Sequence, residues 1–92
     1  MTSSEADSQE WQLFATKLGH NLQRLRLANG LSQEQVAYRA RLSRYTYQKY
    51  ESGHSRPGTA ANPTIRSVIA LSQVLGVALE ELLPELPDVT SR

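Results

Sequence analysis

Apolar residues recur at helical spacing in the first third of the chain. Between about Glu10 and Ala28 they form a narrow stripe with a period of 3.6 residues, made of Trp11, Phe14, Leu18, Leu22 and Leu25. Asn29 and Gly30 follow, and a glycine can end a helix because it takes positive φ without a steric penalty. The pattern predicts one long amphipathic helix that packs on a core through this stripe.

Two short helices joined by a tight turn are predicted within residues 31–53. Ser32 and Gln35 form a Ser-x-x-Gln capping box at the start of the first, and Ser43 can cap the second. Between the caps, Val36, Ala37 and Ala40 recur at helical spacing, and the apolar residue Leu42 leads into the next helix. Each helix therefore has a start signal and an inner face.

The second short helix has two distinct faces. Because successive side chains lie about 100° apart around a helix axis, one side collects Arg44, Tyr45, Gln48, Lys49 and Ser52. Tyr47 and Tyr50 lie opposite, where we expect them to pack on the core. A basic, aromatic outer face on the second of two short helices is typical of a helix-turn-helix that reads DNA.

The rest of the chain predicts two more helices. Residues 53–62 form a turn-rich loop, and Asn62-Pro63 can open the fourth helix. The apolar positions of that helix are Ile65, Val68, Ile69 and Leu75. Gly76 ends it, and a short fifth helix follows around Leu79 to Leu83. Five helices and no strand are therefore expected.

The 92 residues predict one small domain with a tail at each end. We expect an acidic, flexible tail at residues 1–9, a domain at residues 10–84 and a second flexible tail at residues 85–92. The core of so small a domain gives only marginal stability on its own, so oligomerisation would stabilise the fold.

Basic charge is concentrated in one part of the chain, although the net charge is only +1. Residues 17–56 carry eight Lys and Arg against two acidic residues, whereas residues 1–16 and 57–92 have net charges of −3 and −2. A local excess of Lys and Arg suits a phosphate backbone, since each neutralised phosphate releases counterions. Scattered charges are also usual on solvated surfaces, but here the basic segment coincides with the two short helices.

Composition and motifs argue against several other classes of protein. The absence of cysteine excludes disulfides and thiolate metal sites. The only histidines, His20 and His54, lie in no catalytic motif, and there is no phosphate-cradling glycine loop. We expect no enzyme activity, cofactor, metal site or small-molecule ligand. No apolar run approaches the roughly 20 residues of a membrane span, so we expect a cytoplasmic protein associated with the nucleoid through DNA.

Four segments resemble, in order and spacing, the Cro and phage-repressor type of helix-turn-helix, also called the XRE family. They are LGHNLQRLR, GLSQEQVA, LSRYTYQKYESG and IRSVIALSQVLGVALEELL, which together run from Leu18 to Leu83. The resemblance implies an all-α, five-helix lambda-repressor-like DNA-binding domain in which helices 2 and 3 form the helix-turn-helix. It also implies that the helix from about Arg44 to Ser52 lies in the major groove.

The resemblance implies roles for individual residues. The base-reading positions are Arg44, Tyr45, Gln48 and Lys49. The phosphate-contacting positions are Gln33, Arg41, His54, Ser55 and Arg56. For Arg44 and Lys49 the alternative is an ordinary solvated helix face, and for His54 it is a surface loop residue without a role. Arg26 and Glu51 match positions that form an ion pair between the first and third helices.

Three features depart from the family pattern: two residues and one loop. Arg41 stands in the turn where the family usually has glycine, so arginine is costly there if the backbone needs positive φ. The loop of residues 53–62 is longer than usual, and Ala78 replaces a common capping serine.

The sequence therefore predicts a sequence-specific regulator of transcription, expected to be a repressor, that binds double-stranded DNA. We expect a homodimer on a palindromic operator, with a two-fold contact made by Leu79, Leu82, Leu83 and Leu86. Leu82 could equally close the monomer core. The alternative function is a protein-interaction module, such as an antitoxin-like or bridging factor, built on the same fold.

Overall fold

Helices dominate residues 3–90, which are the residues described by the structure, a computed structural model. In chain order the elements are α1 (Ser3–Ala28), α2 (Gln33–Arg39), α3 (Arg44–Ser52), β1 (His54–Arg56), β2 (Thr59–Ala60), α4 (Ile65–Leu75) and α5 (Leu79–Leu82). The predicted five-helix fold with a helix-turn-helix in α2 and α3 is confirmed.

The first helix begins earlier than the apolar stripe indicated. It starts at Ser3 rather than near Glu10, so helical backbone runs through most of the segment predicted as a tail. Residues 3–18 contain neither glycine nor proline, the residues that most often interrupt a helix. Residues 1–2 and 91–92, which belong to the two predicted tails, lie outside the described residues.

The expectation of no strand was wrong for the loop after α3. β1 pairs antiparallel with β2, with His54 opposite Ala60 and Arg56 opposite Thr59. Pro57 and Gly58 make the turn, in which Gly58 has φ +77°. A Pro-Gly pair favours a tight turn, but two strands of this length leave almost no periodic pattern to detect.

Serine side chains start both helices of the helix-turn-helix, as predicted. Ser32 Oγ accepts a hydrogen bond from the Gln35 backbone N–H at 3.1 Å, and Gln35 Oε1 accepts from the Ser32 N–H at 2.8 Å. Ser43 Oγ accepts from the Thr46 N–H at 3.0 Å. These bonds satisfy amide groups that have no partner within their helices.

The core lies where α1, α2, α3 and α4 meet, and α5 closes one side of it. Tyr47, Leu22, Leu71, Leu82 and Val36 are its largest fully buried side chains. Tyr50 is half-buried against this cluster. The packing therefore places Tyr47 and Tyr50 on the inner face of α3, opposite its basic face.

The fourth helix begins two residues later than the sequence indicated. Thr64, not Asn62, is its cap, and Thr64 Oγ1 accepts from the Ser67 N–H at 3.1 Å. Ile65 and Ile69, which the periodicity grouped with the buried positions of this helix, are 75% and 41% exposed. They lie on one flank of the buried arc, so α4 presents an apolar edge to solvent.

The first and third helices approach closely at Gly19. A Cβ atom on Gly19 would collide with the carbonyl oxygen of Glu51 and would lie 2.9 Å from the carbonyl oxygen of Tyr50. Only glycine therefore allows the backbone of α3 to rest directly on α1. This contact sets the position of α3 in the domain.

Arg41 has the left-handed backbone conformation that the family resemblance led us to consider. Its φ of +60° makes it the only non-glycine residue with positive φ in the described part of the chain. A left-handed conformation costs a residue with a Cβ atom about 1 to 2 kcal/mol. The turn is thus made with an arginine in a position that favours glycine.

Replacing Arg41 by glycine is expected to stabilise the fold by about 1 kcal/mol. Relief of the left-handed strain outweighs the greater freedom of glycine in the unfolded chain, which takes back about 0.5 to 1 kcal/mol. Urea unfolding measures the difference. Arg39→Gly is the matched control, because the last residue of α2 is helical and glycine there should lower stability. A loss of stability in Arg41→Gly would contradict the prediction.

Candidate nucleic-acid interface

An ion pair ties the third helix to the first. Arg26 Nε and Nη2 donate to the carboxylate of Glu51 at 2.5 and 3.2 Å, and the two side chains are only 12% and 6% exposed. Arg26 Nη1 also donates to the backbone oxygen of Leu31, just before α2, at 3.0 Å. One guanidinium thus connects α1 with the start of α2 and the end of α3.

Two further side chains donate to the same carboxylate. The Tyr47 hydroxyl donates to Glu51 Oε2 at 2.6 Å, and Gln33 Nε2 donates to Glu51 Oε1 at 3.0 Å. Neither contact was foreseen from the sequence. The Gln33 contact depends on how α2 and α3 cross, whereas Tyr47 and Glu51 are four residues apart on α3, a spacing that helical periodicity could have indicated. Both carboxylate oxygens of Glu51 therefore accept hydrogen bonds. The only acid of α3 is thus held inside the domain, away from the solvent-facing basic residues.

This arrangement shifts the pKa values of both acids of the cluster. Burial alone would raise the pKa of Glu51, but hydrogen bonds from Arg26, Tyr47 and Gln33 outweigh it and hold the pKa below its usual 4.5. Burial, together with the bond to Glu51, raises the pKa of Tyr47 well above its usual 10.0. The cluster therefore favours an ionised Glu51 and a neutral Tyr47.

Stability is expected to fall at both extremes of pH. The lowered pKa of Glu51 stabilises the fold above its usual pKa, and this contribution is lost as pH falls through the lowered value. The raised pKa of Tyr47 stabilises the fold below its usual pKa, and this contribution is lost as pH rises further. Urea unfolding as a function of pH checks both limbs. Glu51→Gln should flatten the acid limb, and an unchanged acid limb in that variant would contradict the assignment.

Four side chains predicted to read bases lie together on the outer face of α3. Arg44, Tyr45 and Gln48 are exposed, and Lys49 is half-buried beside them. The ammonium of Lys49 lies 4.2 Å from the centre of the Tyr45 ring, a cation–π contact. Lys49 and Tyr45 therefore form one structural unit rather than two independent side chains.

Gln33 combines two possible contacts at the first turn of α2. One amide N–H is committed to Glu51, as described above, while the side chain remains partly exposed. The side-chain amide has a second N–H donor. If that donor contacted a phosphate, the Gln33 side chain would join the phosphate to the carboxylate of the Arg26–Glu51 ion pair.

The residues predicted to touch phosphates after α3 lie on the hairpin. His54 and Arg56 are exposed on β1, and Ser55 between them is half-buried. Ser52 Oγ donates to the His54 carbonyl at 3.1 Å, which holds the hairpin against the end of α3.

A tryptophan of α1 holds the far side of this hairpin. Trp11 Nε1 donates to the carbonyl oxygen of Ala61 at 3.0 Å, and the Ala61 N–H donates to the carbonyl oxygen of Gly53 at 2.9 Å. These bonds close the loop of residues 53–61 at its base. The loop that the sequence predicted to be longer than usual is thus anchored at its base.

The comparisons with known proteins agree with this geometry. The sequence profile of the family described as "Helix-turn-helix domain" matches residues 17–86. A crystal structure of the restriction-modification controller protein C.AhdI from Aeromonas hydrophila is similar, with a TM-score of 0.66 and 30% sequence identity over 75% of this chain and 96% of that one. No match was found among curated protein sequences. The chain belongs to the Cro and phage-repressor type of helix-turn-helix proteins.

Membership of this helix-turn-helix family identifies a DNA-binding regulator of transcription and not an enzyme. Among residues 3–90, no three His, Cys, Asp or Glu side chains are grouped so as to hold a metal ion. Over the same residues, no helix is both long enough and apolar enough to cross a membrane.

The leucines predicted to form the dimer contact of this helix-turn-helix protein are not equivalent. Leu82 is 0% exposed and belongs to the monomer core, so the prediction of a partner contact was wrong for this residue. Leu79 and Leu83 are half-buried against the same core. Leu86 is 71% exposed, so its side chain is free for the predicted contact between protomers.

Proposed function

We propose that this protein is a sequence-specific regulator that binds double-stranded DNA as a homodimer and inserts α3 into the major groove. The exposed face of α3 carries the proposal. It presents Arg44, Tyr45, Gln48 and Lys49, while Glu51, which would repel phosphates, is neutralised inside the domain. Arg and Lys match guanine O6 and N7, and Gln matches adenine.

Phosphate contacts from α2 and from the hairpin would hold α3 in the groove. Gln33 lies at the start of α2, where the helix dipole favours an anion, and Arg56 lies on the hairpin after α3. The likeness to a restriction-modification controller protein supports control of transcription, and we propose repression by occupation of a promoter.

A dimer is proposed because one recognition helix covers too few base pairs for high specificity. Ile65 and Ile69 form an exposed apolar edge on α4, and Leu86 is exposed beyond α5. Apolar side chains of this kind suit a two-fold contact. The operator would then be an imperfect palindrome with half-sites about 34 Å apart. Sedimentation at DNA-binding concentrations should show a dimer, and a monomer bound to DNA would exclude this arrangement.

Selection of bound duplexes from a random pool, followed by binding measurements, tests the function. Arg44→Ala is expected to lower affinity for the selected duplex by about 1 to 3 kcal/mol and to relax sequence preference at one position. Gln33→Ala, the matched comparison, should weaken selected and random duplexes alike. Equal losses on both duplexes for Arg44→Ala would overturn base reading. Binding that does not depend on salt would instead indicate a protein-interaction module.

A further inference from the structure

A basic hollow lies between α2, the turn after it, and α4. Its volume is about 360 Å³. Arg39, Arg41 and Arg66 line it, one from each of these three segments, and all three are exposed. Its apolar lining comes from Ala40, Ala70 and Val74, and no acidic residue lines it.

The three arginines have no anionic partner among the described side chains, which are those of residues 9–90. In that part of the chain, none of the three guanidinium groups forms a salt bridge or a hydrogen bond. Three positive charges that face one hollow repel one another, and an anion held between them would relieve the repulsion. The charge pattern is thus complementary to an anion.

The backbone at Arg41 adds a second, independent argument. This arginine adopts φ +60° in a turn that glycine would make without strain. A strained residue persists where the surrounding structure compensates for it, and such residues cluster at functional sites. The side chain at position 41 places one of the three charges in the hollow, which gives the strained arginine a use that glycine lacks.

We propose that Arg39, Arg41 and Arg66 together bind a backbone phosphate of DNA beside the bases read by α3, an inference that rests on the proposed function. Arg41 precedes the first residue of α3 by three positions, so at most about 11 Å of chain separates them. A helix in the major groove is flanked by phosphates on both strands. Guanidinium groups bind phosphate oxygens in a bidentate manner, which favours this ligand.

The double variant Arg39→Ala/Arg66→Ala tests the hollow while it leaves the turn and α3 untouched. Its affinity for the selected duplex and for a random duplex is measured by fluorescence anisotropy across a salt series. We expect an equal loss on both duplexes, about 3- to 30-fold, and a log–log salt slope that is smaller by about 0.9 for each bound protomer, the value for one phosphate. Arg24→Ala, which removes an exposed arginine of α1 that donates a hydrogen bond to Asn21, should leave the slope unchanged.

Duplex length provides a second readout. Trimming the base pairs that flank the half-site should weaken the wild-type protein more than the double variant, since the variant has no hollow to fill. Wild-type slope and affinity in the double variant would overturn the inference, and would leave an acidic protein segment as the alternative ligand. Because the wild-type protein would still select its duplex in that case, the failure would be distinct from a failure of the proposed function.

Discussion

Replacing Glu51 by alanine is expected to lower the free energy of unfolding by about 3 to 5 kcal/mol. The Arg26 side chain is only 12% exposed, and the substitution removes its counter-charge. The substitution also removes the acceptor of the hydrogen bonds from the Tyr47 hydroxyl and the Gln33 amide. A domain of this size has a total stability of only about 5 to 15 kcal/mol. Urea unfolding followed by circular dichroism would measure the loss.

The pairing itself is isolated by comparing Glu51→Ala with Arg26→Ala and with the double variant. The double variant should lose less stability than the sum of the single losses, because it contains no unpaired buried charge. Glu85→Ala, which removes an exposed carboxylate after α5, should change stability by no more than about 0.5 kcal/mol. Strictly additive losses would show that Arg26 and Glu51 stabilise the fold independently.

Replacing Gly19 by alanine is expected to destabilise the domain by about 3 kcal/mol. The added methyl group meets the backbone carbonyls of Tyr50 and Glu51, and backbone cannot rotate away as a flexible side chain can. The sign of the effect is informative, since alanine is favoured over glycine inside a helix by about 1 kcal/mol. If α1 and α3 could separate freely, Gly19→Ala would therefore stabilise the protein.

Thermal unfolding of Gly19→Ala checks this expectation, with Lys17→Ala as the control. Lys17 is exposed on the same helix, so its replacement should leave the midpoint nearly unchanged. A midpoint for Gly19→Ala at or above that of the wild-type protein would rule out the tight approach of the two helices.

The elements that the sequence predicts well are those with local signals. Ser32 and Ser43 cap helices through bonds to residues three positions away, and Gly76 ends α4 with φ +72°. Such signals involve only neighbouring residues, so they survive any change in tertiary packing. The basic face of α3 is predictable for the same reason, because helical geometry alone brings its side chains together.

The features that the sequence did not reveal depend on contacts between distant residues. Gln33 and Glu51 are 18 residues apart and meet only because α2 and α3 cross. Arg66 joins Arg39 and Arg41 only because α4 packs against the end of α2. Ile65 looked like a core residue, since periodicity cannot distinguish the centre of a buried arc from its exposed flank.

The contact between Lys49 and Tyr45 affects the entropy of the proposed DNA contact. A free lysine side chain samples many rotamers, and holding it still on binding costs about 0.5 to 1.5 kcal/mol. Here the ammonium already rests 4.2 Å from the centre of the Tyr45 ring before any partner arrives. Part of that ordering is thus complete in the unbound protein, which makes the outer face of α3 a preorganised surface.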